Sequence, residues 1–311
     1  MANLQIPVIS YQGLLSPDPD TRAAAIQAMG QALEEIGFFI LDCPPVSPEV
    51  IRRAYQTALQ FFTLQDAIKG KYSPPPISGL GGFSKFGSEQ AKNYALPDLK
   101  EFWHVNAASL DHPESPWPAE LPGFQPIMTR LYRQLLSCAQ VLLEGCALYL
   151  GQPKNWLTSR VQGGNTVLRL AHYPPIPAGI PPGSLRAAPH EDINLITLLC
   201  EATAPGLEIL SAQGQWIPIQ SVPGQIVVDI GDMLQNLTNG VFRSTTHRVV
   251  NPNRGNQRRL SMPFFVHPHP ETDLSPLASF IERRGGVTYF PKITAADYLA
   301  QRLQEIQVTP A

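Results

Sequence analysis

Cysteine is scarce in this sequence. Cys43, Cys138, Cys146 and Cys200 are the full set in 311 residues, and no two form a C-x-x-C pair. That spacing argues against a disulfide framework or a thiolate metal site. The last three stand in apolar runs and are expected to be reduced core thiols. Charge is sparse too. Asp, Glu, Lys and Arg make up 15% of the chain, the formal net charge is −2, and no Lys/Arg run is long enough to follow a phosphate backbone. Nucleic acid is therefore not an expected partner. Long uninterrupted apolar stretches are missing. The most apolar helix candidate, residues 127–150, carries Arg130, Arg133, Gln134, Gln140 and Glu144, which a membrane span would not normally tolerate. The opening MANLQIPVIS has no basic region followed by a long apolar one, so no signal peptide is expected and a cytoplasmic, reducing setting is inferred. Internal repeats and low-complexity blocks are absent. Gly79, Gly81 and Gly82 lack the strand–GxGxxG–helix context of a nucleotide loop.

Proline is abundant, with 32 residues spread along the chain, which suggests many turns and strand ends. Apolar residues at 43% are those of a chain that folds around a core. Helical spacing of apolar residues predicts helices over residues 21–36, from Ser47 and Glu49 through Phe62, and over 126–150. Between the last two lies a segment rich in Gly, Pro and aromatics, 73–122, expected to be irregular and functional. The second half changes character. Short apolar or alternating runs at 166–173, 193–200, 207–210, 215–219, 225–230, 247–250 and 259–266 are separated by Gly, Pro and Asn turns. Such runs indicate a β-barrel or jelly roll. A capped amphipathic helix is expected over 294–306. The expectation is one domain over 1–311: a mostly helical part to about 155, a β core over 160–270, and a tail with a helix over 271–311.

Among the seven histidines, His190 stands in RAAPHEDINLITLLC. Residues two apart in an extended chain point the same way, so His190 and Asp192 can reach one point while Glu191 turns away. By itself H-x-D is commonly a surface His beside acids. A second histidine, His247 in TNGVFRSTTHRVVNP, completes two imidazoles and one carboxylate. That donor set with open positions suits non-haem Fe(II) oxygenases, although zinc hydrolases use it as well. In RLSMPFF, period two places Arg259 and Ser261 on one face and Leu260, Met262 and Phe264 on the other. An inward Arg with a neighbouring hydroxyl suits a carboxylate; an edge-strand Arg in water is the plain alternative.

The order H-x-D … H … R-x-S resembles the 2-oxoglutarate/Fe(II)-dependent dioxygenases, in the branch of isopenicillin N synthase. IPVISY, EEIGFFIL, LRLAHYPP, PGQIVVDIGDMLQNLTNGVFRSTTHRVVNP, RLSMPFF and KITAADYLAQRL extend the likeness over nearly the whole chain. The resemblance implies a mainly β fold with flanking helices, its core a cupin-like double-stranded β-helix. It implies His190, Asp192 and His247 as Fe(II) ligands and as the catalytic centre. Arg259 and Ser261 match the pair that binds the distal carboxylate of the cosubstrate 2-oxoglutarate, and Tyr173 a tyrosine beside it. The reaction implied uses O₂, releases succinate and CO₂, and oxidises, usually hydroxylates, a C–H bond of a small molecule. One departure stands out: where relatives with N-Y-Y-P carry Asn, this chain has Ala171.

GLGGFSKFGSE and DLKEFWHV resemble a stretch near the pocket entrance of bacterial members, making Phe83, Phe86, Glu89 and Trp103 candidate substrate contacts, with loop packing the alternative. His267 and His269 alternate with prolines ahead of Glu271 and are read as loop residues. His172, out of phase with Tyr173, is read as a packed or partnered core histidine. A cosubstrate-independent oxidase like isopenicillin N synthase and a non-catalytic metal- or acid-binding barrel remain the alternatives at this point.

Overall fold

The computed structural model describes residues 5–73, 81–110, 112, 115–220 and 222–306. Gly79, with the rest of 74–80, lies outside them. In chain order the strands are β1 (Val8–Ser10), β2 (Phe38–Asp42), β3 (Gly82–Ser84), β4 (Glu101–Asn106), β5 (Val167–Tyr173), β6 (Ala187–His190), β7 (Ile196–Cys200), β8 (Leu207–Leu210), β9 (Trp216–Pro218), β10 (Ile226–Ile230), β11 (His247–Val249) and β12 (Arg259–Val266). The helices are α1 (Tyr11–Leu14), α2 (Pro19–Glu35), α3 (Pro48–Phe62), α4 (Asp66–Lys69), α5 (Phe124–Tyr149), α6 (Asp232–Leu237), α7 (Ala278–Arg283) and α8 (Ala295–Ile306).

The strands form two sheets. One has eight strands in the order β1-β2-β10-β7-β12-β5-β4-β3, the other four in the order β6-β11-β8-β9. Every pairing is antiparallel except β1 with β2. The sheets face each other as the jelly roll of a double-stranded β-helix. β1 and β2, from the helical half, join this large sheet through β10.

Period two sorts the large sheet's side chains between two destinations. Phe39 and Leu41 of β2, Leu198 and Cys200 of β7, Val228 of β10, and Leu260, Met262 and Phe264 of β12 belong to one apolar core with α3 and α5. Phe38, Ile40 and Val227 point the other way and pack with Ile6, Leu207 and Ile209 between the sheets, closing one end of the roll. Each fully buried side chain of this size contributes about 1.5–3 kcal/mol by leaving water. Phe264, wholly buried with Tyr132 of α5 edge-on at 4.9 Å, is a position where Ala would cost roughly 3–5 kcal/mol.

Local signals fix the helices. The Asp18 side chain accepts from Thr21 N–H at 2.9 Å and Pro19 opens α2; Ser47 accepts from Val50 N–H at 3.4 Å and Pro48 opens α3. Thr294 caps α8 by accepting from Asp297 N–H at 3.2 Å. Gly37, between α2 and β2, has φ +77°, and a Cβ there would stand 2.3 Å from the Arg243 carbonyl oxygen, so no other residue fits without a shift.

Two expectations need correction. The segment 73–122 is not wholly irregular: β3 and β4 extend the large sheet past β5. β4 shows no polar alternation because both its faces are covered; five of its six residues are buried. The strand expected over 193–200 begins later, at Ile196. His190 ends β6 in the small sheet, and the chain crosses to β7 in the large sheet before Ile196.

Candidate metal centre and carboxylate site

His190 and His247 are register partners on β6 and β11, with ring centroids 4.4 Å apart. Asp192 follows in the crossover, and its Oδ1 lies 4.0 Å from His190 Nε2 and 3.7 Å from His247 Nε2. One ligand atom from each falls within 4.8 Å of the others. Each imidazole is oriented through its far nitrogen: Nδ1 of His190 donates to the Ala188 carbonyl at 2.7 Å, and Nδ1 of His247 to the Thr245 carbonyl at 3.2 Å. The carbonyls are acceptors only, so both Nε2 lone pairs are left for a cation. Burial, then His247, pulls the His190 imidazole below its ordinary value, which favours the neutral, ligating form. Thr197 Oγ1 donates to Asp192 Oδ2. Asp229 of β10, opposite Thr197, lies against Asp192; burial and that neighbouring carboxylate push its carboxyl well above the usual range. Glu191 turns away and accepts from Thr246 Oγ1 at the surface, as its phase in the chain requires.

The same cavity is lined from β12 by Arg259, Ser261, Pro263 and Phe265 and from β5 by Arg169, Ala171 and Tyr173. Arg259 is 1% exposed. Its Nε donates to the Ala204 carbonyl at 3.0 Å, and its guanidinium stands 5.1 Å from the Tyr173 ring centre. Nη1 is buried and has no hydrogen-bond partner among the described residues. A buried guanidinium with a free prong is costly unless an anion meets it. The residues therefore fit an Fe(II) ion at the two Nε2 atoms and the carboxylate, and a dicarboxylate reaching from it to Arg259.

The other candidates separate. Phe83 and Trp103 face the helices, their rings 5.6 and 4.8 Å from Phe61, and neither lines this cavity. Phe86 is exposed and also outside it. Aromatic content marked that segment, but strand phase aims Phe102 and His104, not Trp103, at the side of Arg169. Glu89 grips Arg169 with two bonds of 2.9 Å. His172 is partnered on the helix side, 2.8 Å from Glu101 Oε1 and stacked on Phe62. His267 and His269 are not in the ligand cluster. The sequence reading missed Arg169, although it precedes Ala171 and Tyr173 at period two. It also missed Lys100, Thr197 and Asp229, for which tertiary contact is the only signal.

Comparison with known proteins gives this geometry a family. The 2OG-Fe(II) oxygenase superfamily matches residues 164–268, and the N-terminal family described as non-haem dioxygenase in morphine synthesis matches 6–124. A crystal structure of a putative 2OG-Fe(II) oxygenase family protein from Caulobacter crescentus is 38% identical, covers 96% of this chain and 98% of its own, and superposes with a TM-score of 0.83. The chain belongs to the 2OG-Fe(II) oxygenase superfamily. Its cofactor is Fe(II), and its cosubstrates are 2-oxoglutarate and O₂. A full-length Neurospora crassa protein, crystallised in complex with alpha-KG and thymine, is 28% identical over 96% of both chains with a TM-score of 0.86. A 2-oxoglutarate-Fe(II) type oxidoreductase of Aspergillus fumigatus is 28% identical, covering 96% of this chain and 92% of its own. No described helix is long and apolar enough to cross a membrane.

Proposed function

We propose that this oxygenase hydroxylates a C–H bond of a small organic molecule, with His190, Asp192 and His247 holding Fe(II) and Arg259 and Ser261 holding the distal carboxylate of 2-oxoglutarate. The observation that carries the reading is Arg259 itself: it lines the cavity that His190, Asp192 and His247 also line, and its buried Nη1 has no hydrogen-bond partner among the described residues. Bound iron supplies oxidation of C–H bonds driven by decarboxylation of 2-oxoglutarate. The protein's own part is placement. The two carbonyl-bound imidazoles keep their lone pairs toward one point, and Thr197 fixes the Asp192 carboxylate. Arg259, set by Ala204 and lying over Tyr173, orients the dicarboxylate. Pro263, Phe265, Leu199 and Val249 keep water from the cavity wall. Small-molecule substrates accord with the thymine bound by the Neurospora protein. The test is anaerobic loading with Fe(II) and 2-oxoglutarate, then exposure to isotopically labelled O₂ with a substrate panel. Succinate release that depends on O₂, together with one labelled oxygen atom in a product, is expected. Succinate without any labelled product across the panel would count against hydroxylation.

A further inference from the structure

Beside the carboxylate site, along β5 and β4 of the same sheet, the cavity has further polar lining. Lys100, just ahead of β4, and Arg169 of β5 both line it. Their counter-ions stand behind them: Lys100 Nζ is 2.7 Å from Glu89 Oε2 and 2.7 Å from Asp98 Oδ2, and Arg169 meets both oxygens of Glu89 at 2.9 Å. Neither carboxylate lines the cavity. Arg169 Nε donates to His104 Nε2 at 2.8 Å, and its guanidinium lies 4.3 Å from the Phe102 ring centre and 5.3 Å from that of Phe265. Asp98 is tied further by accepting from Ala188 N–H at 2.9 Å, two residues before the His190 ligand. All four side chains are at least 84% buried, so the cluster is rigid and poorly screened.

Two consequences follow from the chemistry. Lys has three N–H donors and Arg five. The contacts above use two of the first and three of the second, which leaves one donor on Lys100 and two on Arg169, both residues of the cavity lining. Two cations and two carboxylates cancel, so that wall carries donors without net charge. Among the groups that line the cavity the loaded centre is balanced as well: Fe(II) with Asp192 and Arg259 offsets the two negative charges of 2-oxoglutarate. A carboxylate on the substrate would therefore meet cations already spent on Glu89 and Asp98, and would lie close to those two anions. Burial opposes charge on Glu89 and Lys100, yet their mutual attraction, with Arg169 and Asp98, outweighs it. Glu89 is held well below and Lys100 well above its ordinary value, so these two stay ionised.

We infer that Lys100 and Arg169 recognise an uncharged carbonyl-type oxygen of the substrate, an amide, imide or lactam, and that Glu89 behind them sets the preference for neutral over carboxylate-bearing compounds. Glu89 is then a specificity residue that acts through the two cations. This rests on the proposed metal and 2-oxoglutarate sites.

The test uses the anaerobic Fe(II)–2-oxoglutarate protein, whose charge-transfer absorption reports the first reading and shifts when a compound enters beside the metal. Matched pairs are titrated: nicotinamide against nicotinate, benzamide against benzoate, uracil against orotate. The wild type is expected to respond to the uncharged carbonyl members at least tenfold more tightly. Glu89→Gln, which leaves the wall one charge positive, is expected to reverse that ranking while the absorption still forms. Lys100→Met, which removes a donor and leaves the wall negative, is expected to weaken the carbonyl members at least tenfold without gaining the acids. The second variant also serves if Glu89→Gln does not fold. Preference for acids in the wild type, an unchanged ranking in both variants, or no response to any carbonyl member overturns the inference. Failure of the absorption to form in the wild type would instead overturn the cosubstrate site.

Discussion

Replacing Arg259 is the sharpest perturbation of the proposed cosubstrate site. Its Nε is spent on the Ala204 carbonyl, so the two terminal nitrogens form the fork available to a ligand, and the residue is 1% exposed. A charge contact at such a site is not screened by water, and deleting one partner of a buried pair costs roughly 3–5 kcal/mol. At about 1.4 kcal/mol per tenfold, Arg259→Ala is expected to weaken 2-oxoglutarate by two to three and a half orders of magnitude. Arg259→Lys keeps the charge but loses the fork and is expected to fall in between. Ser261→Ala removes one hydrogen bond to a charged group, costing on the order of 1–3 kcal/mol, and is expected to be mildest. The assay is titration of 2-oxoglutarate into anaerobic Fe(II) protein, followed by its charge-transfer absorption. Thermal unfolding gives a second reading: without ligand the buried guanidinium is uncompensated, so Arg259→Met is expected to stabilise the ligand-free chain and abolish the stabilisation that 2-oxoglutarate gives the wild type. Unchanged 2-oxoglutarate affinity in Arg259→Ala would refute the reasoning, because the dicarboxylate would then be held elsewhere.

Three further expectations are open to measurement. Asp192→Ala is expected to lose stoichiometric Fe(II) and turnover while circular dichroism stays native-like, whereas Glu191→Gln, His267→Ala and His269→Ala are expected to retain the metal; iron loss in any of the last three relocates the site. Thr197→Val removes the bond that fixes the Asp192 carboxylate, and a 10–100-fold weaker Fe(II) affinity is expected by competition with a chelator, with equal affinity refuting the positioning role. Burial lowers the His267 imidazole from 6.5 to about 4 and pulls that of His104 well below its usual value. Because both folded-state values lie below the unfolded one, the histidines favour folding fully above pH 6.5 and lose that contribution as pH falls, which for His267 happens down to about pH 4. Urea titrations across that window are expected to show stability dropping by up to about 1.4 kcal/mol per pH unit and per histidine, with a shallower slope in His267→Asn; an identical slope in that variant would show that His267 takes up its proton without hindrance.

How much of this was legible in the sequence depends on the range of the interaction involved. Helix caps are written within four residues: Ser47 and Thr294 stand where the sequence places a helix start, while Asp18 opens α2 ahead of the start expected at 21. Period two is equally local: it assigned Arg259 and Ser261 to one face and Leu260, Met262 and Phe264 to the other, and the two sides of the large sheet keep that division. The same rule, applied to LRLAHY, would have brought Arg169 into the cavity beside Tyr173. Other features required the third dimension. β4 is hidden because burial on both faces erases the alternation that announces a half-exposed strand. His190 and Asp192 converge through a crossover between two sheets, where the sequence reads only an extended stretch leading into a strand. Lys100 and Glu89 meet Arg169 across 69 and 80 positions of chain, and Asp229 meets Asp192 across the barrel. Ligand types and their phase along a strand are properties of neighbouring residues, which the sequence determines by itself. Which charges cancel, and which donor is left without a partner, depends on contacts between distant segments, and only the packed tertiary structure decides them.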